Sequence, residues 1–349
     1  MPCVAHHIQL LIKDGFNLNE NLKSLIDKIS KNIVTKSKCC TAIAEELQAF
    51  NKKLCTRNIT RWNSTLFMVR SVLKLTPSEM VVIRNKLPKK TAKQKETRNN
   101  FFIDDTERKM LEELKQLLEM FEWVTDELQS NKVSISRVYP CINFLRKGLS
   151  SVCDYEYTKQ IRSDLLKSLN ERFGDVNENE VYLYSTFLDP VLGIKAFDSQ
   201  MKTIVRNKLK TLLQVESIKQ KAREILKEKN NNSVEANKLV NKKASDNYIF
   251  YEEPEGNYES DDINREIDEY CRTIRATSFK CPLEFWKSNH LKFPLLANLA
   301  KKYLGIPASS ASVERMFNIC GHIFSLRRRK MGIKIFCELV FLKLNEKLL

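Results

Sequence analysis

The sequence has no run of eighteen or more apolar residues, so no segment reads as a membrane-spanning helix, which needs about 20. Its opening stretch, MPCVAHHIQLLIKDGF, lacks a basic region followed by an apolar stretch and a small-residue cleavage site. No secretory leader is therefore expected. Strand signals are scarce. The ten cysteines follow no repeating spacing. In a long chain without a leader this argues for reduced thiols in the cytosol or nucleus, and against a disulfide framework. Acidic residues are also short in number: 43 Asp+Glu face 59 Lys+Arg, a formal net charge of +16. Two readings of that excess stay open. One is a lysine-rich composition with no further meaning. The other is a polyanionic partner, nucleic acid first, because a basic surface releases counterions when it covers phosphates.

What the chain does have is helical periodicity, with 42% hydrophobic residues over 349 positions. That is enough for a sizeable core and two or three domains. In ERKMLEELKQLLEMFEWVTDELQ, Met110, Leu114, Leu117, Leu118, Phe121, Val124 and Leu128 share one face. In TKQIRSDLLKSLNERFGD, Ile161, Leu165, Leu169 and Phe173 form a stripe, with Gly174 placed to stop the helix. A third helix is expected from about Asp198 to Lys229. CVAHHIQLLIKDG holds the best short strand candidate and reads equally well as helix.

Two stretches read as loops. RNKLPKKTAKQKETRNN carries seven Lys/Arg from Arg84 to Arg98 against one Glu; it is a solvated run or a contact to a DNA backbone. Residues 229–262 are Asn-rich and then acidic. They can bury little apolar surface and are expected to form a linker, the first site of proteolytic clipping.

Beyond that linker the pattern tightens. Ile263, Ile267, Tyr270 and Ile274 face inward on one helix, and Leu295, Leu299, Ala300 and Tyr303 on another. In IPASSASVERMFNICG, Ser309 or Ser310 can cap a helix. Val313, Met316, Phe317 and Cys320 make its stripe, and Gly321 can end it. Glu314 sits at the edge of that stripe, near the positive end of the helix dipole. The final segment, IKIFCELVFLKLNEKLL, is apolar on more than one face and should bury a face against another chain or domain.

Taken together these segments resemble the hAT (hobo–Activator) transposase superfamily and its domesticated BED-zinc-finger relatives. The strongest part is PLEFWK (Pro282–Lys287), then FPLLANLAKKYLGIPASSASVERMFNICG (Phe293–Gly321), then the basic Arg327–Lys330 cluster and the apolar closing helix. CVAHHIQLLIKDG is similar to the family's CxxH segment (Cys3, His6). TRWNSTLFMVRSVLKL is similar to its RWNS segment (Arg61, Trp62, Asn63, Ser64), and YSTFLDPVLGIKAF to its STFLDP segment (Asp189, Pro190). Val313 and NICG depart from the family pattern.

The resemblance implies a mainly α chain. A partial RNase H-like α/β core at 1–75 carries the CxxH and RWNS motifs. A large helical insertion follows at 76–228, then the linker at 229–262 and a dimerisation region at 263–349. It implies catalysis by three carboxylates holding two divalent metals, with Glu314 in the place of the third. The family's first two acids lie upstream of CxxH, so this chain is expected to lack both, and the BED finger with them. Asp14 and Asp27 follow the motif and do not replace them.

Glu314 is then a vestigial or structural acid, and no cofactor is expected; Mg²⁺ or Mn²⁺ would enter only with the missing acids. Cys3 and His6 are half of a zinc spacing, with no second pair at finger-like distance. Trp62 is a core aromatic, or stacks on a flipped base, with Arg61 beside it. Arg327, Arg328, Arg329 and Lys330 are a solvated turn, a phosphate contact or an import signal. Phe317, Phe336, Leu339, Val340, Phe341 and Leu342 carry dimerisation or close the core.

The expected protein is a nuclear, catalytically inactive hAT derivative that forms a homodimer and binds DNA without sequence specificity, with no membrane partner. A competent transposase, and a protein–protein adaptor without a DNA role, are the alternatives.

Overall fold

The computed structural model describes residues 3–58, 61–88, 98, 100–130, 133–151, 155–231, 260–276, 279, 281–324 and 331–346, without the side chains of 220–231 and 260. It is mainly helical, with no strand among these residues. The CVAHHIQLLIKDG stretch is helix, so the α/β part of the expected core has no counterpart among the described residues. The reason is visible in the burial pattern: Val4, Ile8, Leu11, Ile12 and Gly15 are the buried set, the spacing of one helical face and not of a strand. Most of the linker (232–259), most of the basic run (89–97 and 99) and Arg327–Lys330 lie outside the described residues.

The chain divides into two compact units. The first comprises residues 1–176 and 308–349, and the second 177–307. In the first unit, α1 (Val4–Leu18) leads into α2 (Glu20–Lys28). The Asn19 side chain caps α2 by accepting a bond from Leu22 N at 2.9 Å. A π-helical stretch, Ile29–Thr35, prolongs α2 and buries Ile29, Ile33 and Val34. After α3 (Thr41–Ala49) and α4 (Asn63–Leu73) comes α5 (Pro77–Asn85), opened by a Thr76–Glu79 capping box with Pro77 behind it. The long α6 (Asp105–Gln129) opens the same way, on Asp104 and Glu107. Its buried stripe is the expected one, except that Leu111 is fully buried in place of Met110 and Thr125 joins it.

Helices α7 (Val138–Ser150) and α8 (Lys159–Phe173) complete this unit's middle. One carboxylate and one guanidinium tie them together. Glu113 on α6 accepts from Glu156 N, Tyr157 N, Thr158 N and Thr158 Oγ1 at 2.8–3.0 Å, satisfying amides ahead of α8. Buried Arg162 donates through Nη2 to the Gly148, Leu149 and Ser151 carbonyls at the end of α7. Gly15 lets α1 and α8 approach closely: a Cβ there would lie 2.6 Å from Leu165 Cδ2. Gly174 does follow α8, but with right-handed angles, and the chain tightens into a 3-10 turn.

The second unit holds α9 (Glu180–Leu188), α10 (Ser199–Asn231), α11 (Ser260–Ala276), α12 (Pro282–Asn289) and α13 (Pro294–Leu304). Its core is aromatic. The Tyr270 ring lies 5.3–5.9 Å from Phe187, Phe285, Trp286 and Phe293. Two of these rings also finish α9. Tyr270 Oη donates to Phe187 O at 3.0 Å and Trp286 Nε1 to Leu188 O at 2.8 Å, so carbonyls left open at the helix end are paired. The chain then turns at Gly193, whose φ of +50° is a left-handed conformation. Glu266 on α11 accepts from Leu296 N at 2.8 Å and so caps α13, whose own cap residue, Phe293, has no side-chain oxygen to offer.

Candidate self-association surface

The first unit ends in two helices, α14 (Ala311–Ile323) and α15 (Ile333–Leu344), that pack on each other. Gly321 does not end α14, which runs on to Ile323. The Phe324 and Phe336 rings meet edge to face at 5.9 Å. Neither helix has a buried residue. Val313 and Phe317, expected in a core stripe, are exposed; Phe317 is 65% accessible and Phe341 64%. Ile333, Ile335, Leu342 and Leu344 are exposed as well, while Phe336, Leu339 and Val340 are half-buried. Helices of 12 and 13 residues are marginal on propensity alone in water. Among the described residues nothing covers this apolar surface, the kind that interaction sites present.

The hairpin is anchored at the PASSA stretch, which joins distant parts of the chain. Val4 N donates to Ala308 O at 3.0 Å, Ala308 N to Ser134 Oγ at 3.1 Å and Ser309 Oγ to Leu128 O at 3.3 Å. Ser310 N points at Cys3 Sγ at 3.3 Å. Two motifs read separately in the sequence, CxxH and PASSASVER, therefore meet. The Ser134 hydroxyl and the Leu128 carbonyl gave no sequence signal, since such groups at a helix end are legible only once the partner is placed. Ser309 Oγ accepts from Ala311 N at 3.4 Å, while Ser310 Oγ donates to Glu314 Oε1 at 2.6 Å instead of capping the helix.

Glu314 is exposed, and its recorded partner is Ser310. No group of three or more His, Cys, Asp or Glu suited to a metal occurs among the described residues. Among the described residues, those present do not fit a two-metal centre. Asp14 pairs with Arg172, and Asp27 with Arg57 and Lys31. His6 is exposed, while His7 packs edge to face on Phe173. Burial, with Arg172 and His6 nearby, holds the His7 imidazole below its ordinary pKa.

Trp62 lies in the core, 6% exposed, edge to face with Phe121 at 6.5 Å. Its backbone N–H is taken by Gln9 Oε1 at 3.2 Å. Neighbouring Arg61 is exposed. Asp189 is buried; its carboxylate accepts from Val191 N at 2.9 Å and its carbonyl from Gly193 N at 2.7 Å, so this motif builds a turn.

Residues 266–346 match the hAT family C-terminal dimerisation region, and residues 1–117 match the ZBED1 RNase-like helical domain. The chain thus carries a hAT-type dimerisation region and a ZBED1-like helical domain. The hairpin lies inside the first match, and the CxxH and RWNS segments inside the second. Among similar proteins, human zinc finger BED domain-containing protein 4 is 20% identical over 369 aligned positions, covering 100% of this chain and 29% of that protein. A putative transcriptional regulator, tpeD, of Talaromyces stipitatus is 24% identical over 291 positions, covering 82% of this chain and 31% of its own length. The chain thus spans less than a third of either relative. No helix among the described residues is long and apolar enough to cross a membrane.

Proposed function

We propose that this hAT-derived protein acts as a non-catalytic nuclear homodimer, joined through the α14–α15 hairpin, that holds DNA through charge without reading its sequence. One observation carries the self-association: two terminal helices with no buried residue, inside the matched dimerisation region. The DNA part rests on the net charge of +16. It does not rest on Trp62, whose ring is already packed.

The test of self-association is the solution mass of the full chain, wild type and Phe341→Asp/Leu342→Asp. Both side chains are exposed, so the substitutions bury no charge within the monomer. A dimer that falls to monomer supports the reading. A wild-type monomer, or a dimer indifferent to both substitutions, overturns it.

A further inference from the structure

We propose that duplex DNA lies against one basic face of the first unit, formed by Lys36 and Lys38 after the π-helical stretch and by Lys53 and Arg61 between α3 and α4. The proposal rests on the charge-driven DNA contact above and gives that contact a place. From Lys28 to Ser78 ten Lys/Arg stand against two Glu, so this short span carries half of the net +16. The acids around it are mostly engaged. Glu107 pairs with Lys28, Glu79 with Lys52, and Glu46 with Lys86. The Asp27 carboxylate takes both Lys31 and Arg57, each at 3.1 Å, and so neutralises one charge of the two. Glu45, exposed on α3 near Lys86, is left over. Against it stand Lys36, Lys38, Lys53 and Arg61, all exposed, with no ion pair engaging them among the described residues.

Folding draws these cations together. Lys38 Nζ lies 3.4 Å from Thr56 Oγ1, so the turn after the π-helical stretch meets the segment that carries Lys53 and Arg57. That segment is held down by buried Leu54 and by Cys55 N, which donates to Ser71 Oγ at 3.0 Å. Arg61 N donates to Asn58 O at 3.2 Å, and Asn58 N to Ser64 Oγ at 2.7 Å, which turns Arg61 back toward Arg57. The chemistry of the face selects duplex phosphate. Among the described residues from 19 to 66, no large apolar side chain is exposed. A lipid surface calls for apolar groups to insert, a protein partner for buried anchors, and a single strand for rings to stack on; Trp62 is in the core. Three of the four free cations are Lys, point charges that impose no geometry on a phosphate. Contacts of that kind position a duplex without reading it.

The experiment is fluorescence anisotropy with the full chain and a labelled duplex of about 20 base pairs, at salt from about 50 to 200 mM. Wild type is measured first, then Lys36→Ala/Lys38→Ala/Lys53→Ala/Arg61→Ala. The matched control is Lys147→Ala/Lys167→Ala/Arg275→Ala/Lys287→Ala, which removes four exposed cations on α7, α8, α11 and α12. The slope of log K against log salt should become shallower by about three to four in the first variant, near 0.9 for each lost phosphate contact, and change by less than about one in the control. Equal losses from both variants would leave the DNA reading standing and overturn this placement. A wild type that binds no duplex, or binds it indifferently to salt, would overturn the DNA reading itself and the placement with it. Weaker binding by the first variant at an unchanged slope would mean that no phosphate contact was lost, and would overturn the placement alone. So would tighter binding of wild type to vesicles of anionic phospholipid than to duplex at equal phosphate.

Discussion

Glu266 shows how much one carboxyl can do for an element it does not belong to. It replaces the missing cap of α13, and burial there pushes its pKa up to about 7, against the backbone hydrogen bonds from Leu296 and Leu295 that pull it down. The unfolded chain releases this proton near the ordinary carboxyl value of 4.5. Between those values the folded chain binds more protons than the unfolded one, so stability falls as pH rises through the window. Urea midpoints should drop from pH 5 to pH 8 in the wild type. Glu266→Gln, which keeps the accepting carbonyl, should flatten that drop by up to about 3 kcal/mol. Gly193→Ala should cost roughly 1–3 kcal/mol, because φ is +50° and the new Cβ would clash with Ile274 Cδ1; the same denaturation measures it. Neither residue was legible beforehand. A lone Glu on an amphipathic helix reads as its solvated edge, and one Gly in a loop reads as flexibility. Trp62 was legible as one of two things, and Phe121, 59 positions away, is what places its ring in the core.

At the scale of elements, periodicity carried the buried helices well. The inward sets of α6, α8, α11 and α13 follow a 3.6-residue spacing, which is a property of the local sequence alone. The same reading put Val313 and Phe317 inside, and there it ran out. Periodicity reports that a helix has an apolar face; it does not report whether this chain supplies the cover. The strand candidate in residues 3–15 left two periods open, and the approach of Leu165 to Gly15 suits the helix. The ties between helices, by contrast, had no local signature. Glu113 satisfies three backbone amides and a hydroxyl around the start of α8. Glu113→Ala should therefore cost about 2–4 kcal/mol in thermal or denaturant unfolding, as loss of a hydrogen-bonded carboxylate leaves its donors unpaired. A cost below about 0.5 kcal/mol, the range of ordinary surface changes, would show that water replaces it. On α15, Phe341→Asp should leave unfolding close to that surface range while changing the solution mass, because most of its side chain is exposed.

For the whole molecule, charge is the feature that composition alone makes plain. If the net charge of +16 is used on nucleic acid, log K for duplex DNA should fall linearly with log salt, and scrambled and native duplexes should bind alike. A binding constant indifferent to salt between 50 and 200 mM, where phosphate-driven affinity drops steeply, would favour the adaptor. The division into compact units was not legible, because residues 308–349 are grouped with the first 176 across an intervening unit. A sequence read from left to right assigns neighbours in the chain to the same body. The bonds from Ala308, Ser309 and Ser310 to Val4, Ser134, Leu128 and Cys3 show which residues do the regrouping.

That junction also sets a schedule. Cys3 and Ser310 are 307 positions apart. At roughly 5–20 residues per second, a ribosome needs about 15–60 s to pass from one to the other. Throughout that interval the leading helix waits beside a nascent chain for the strap that will hold its first turn. A chaperone that shields the apolar face of Val4, Ile8 and Leu11 during synthesis would have its longest opportunity here.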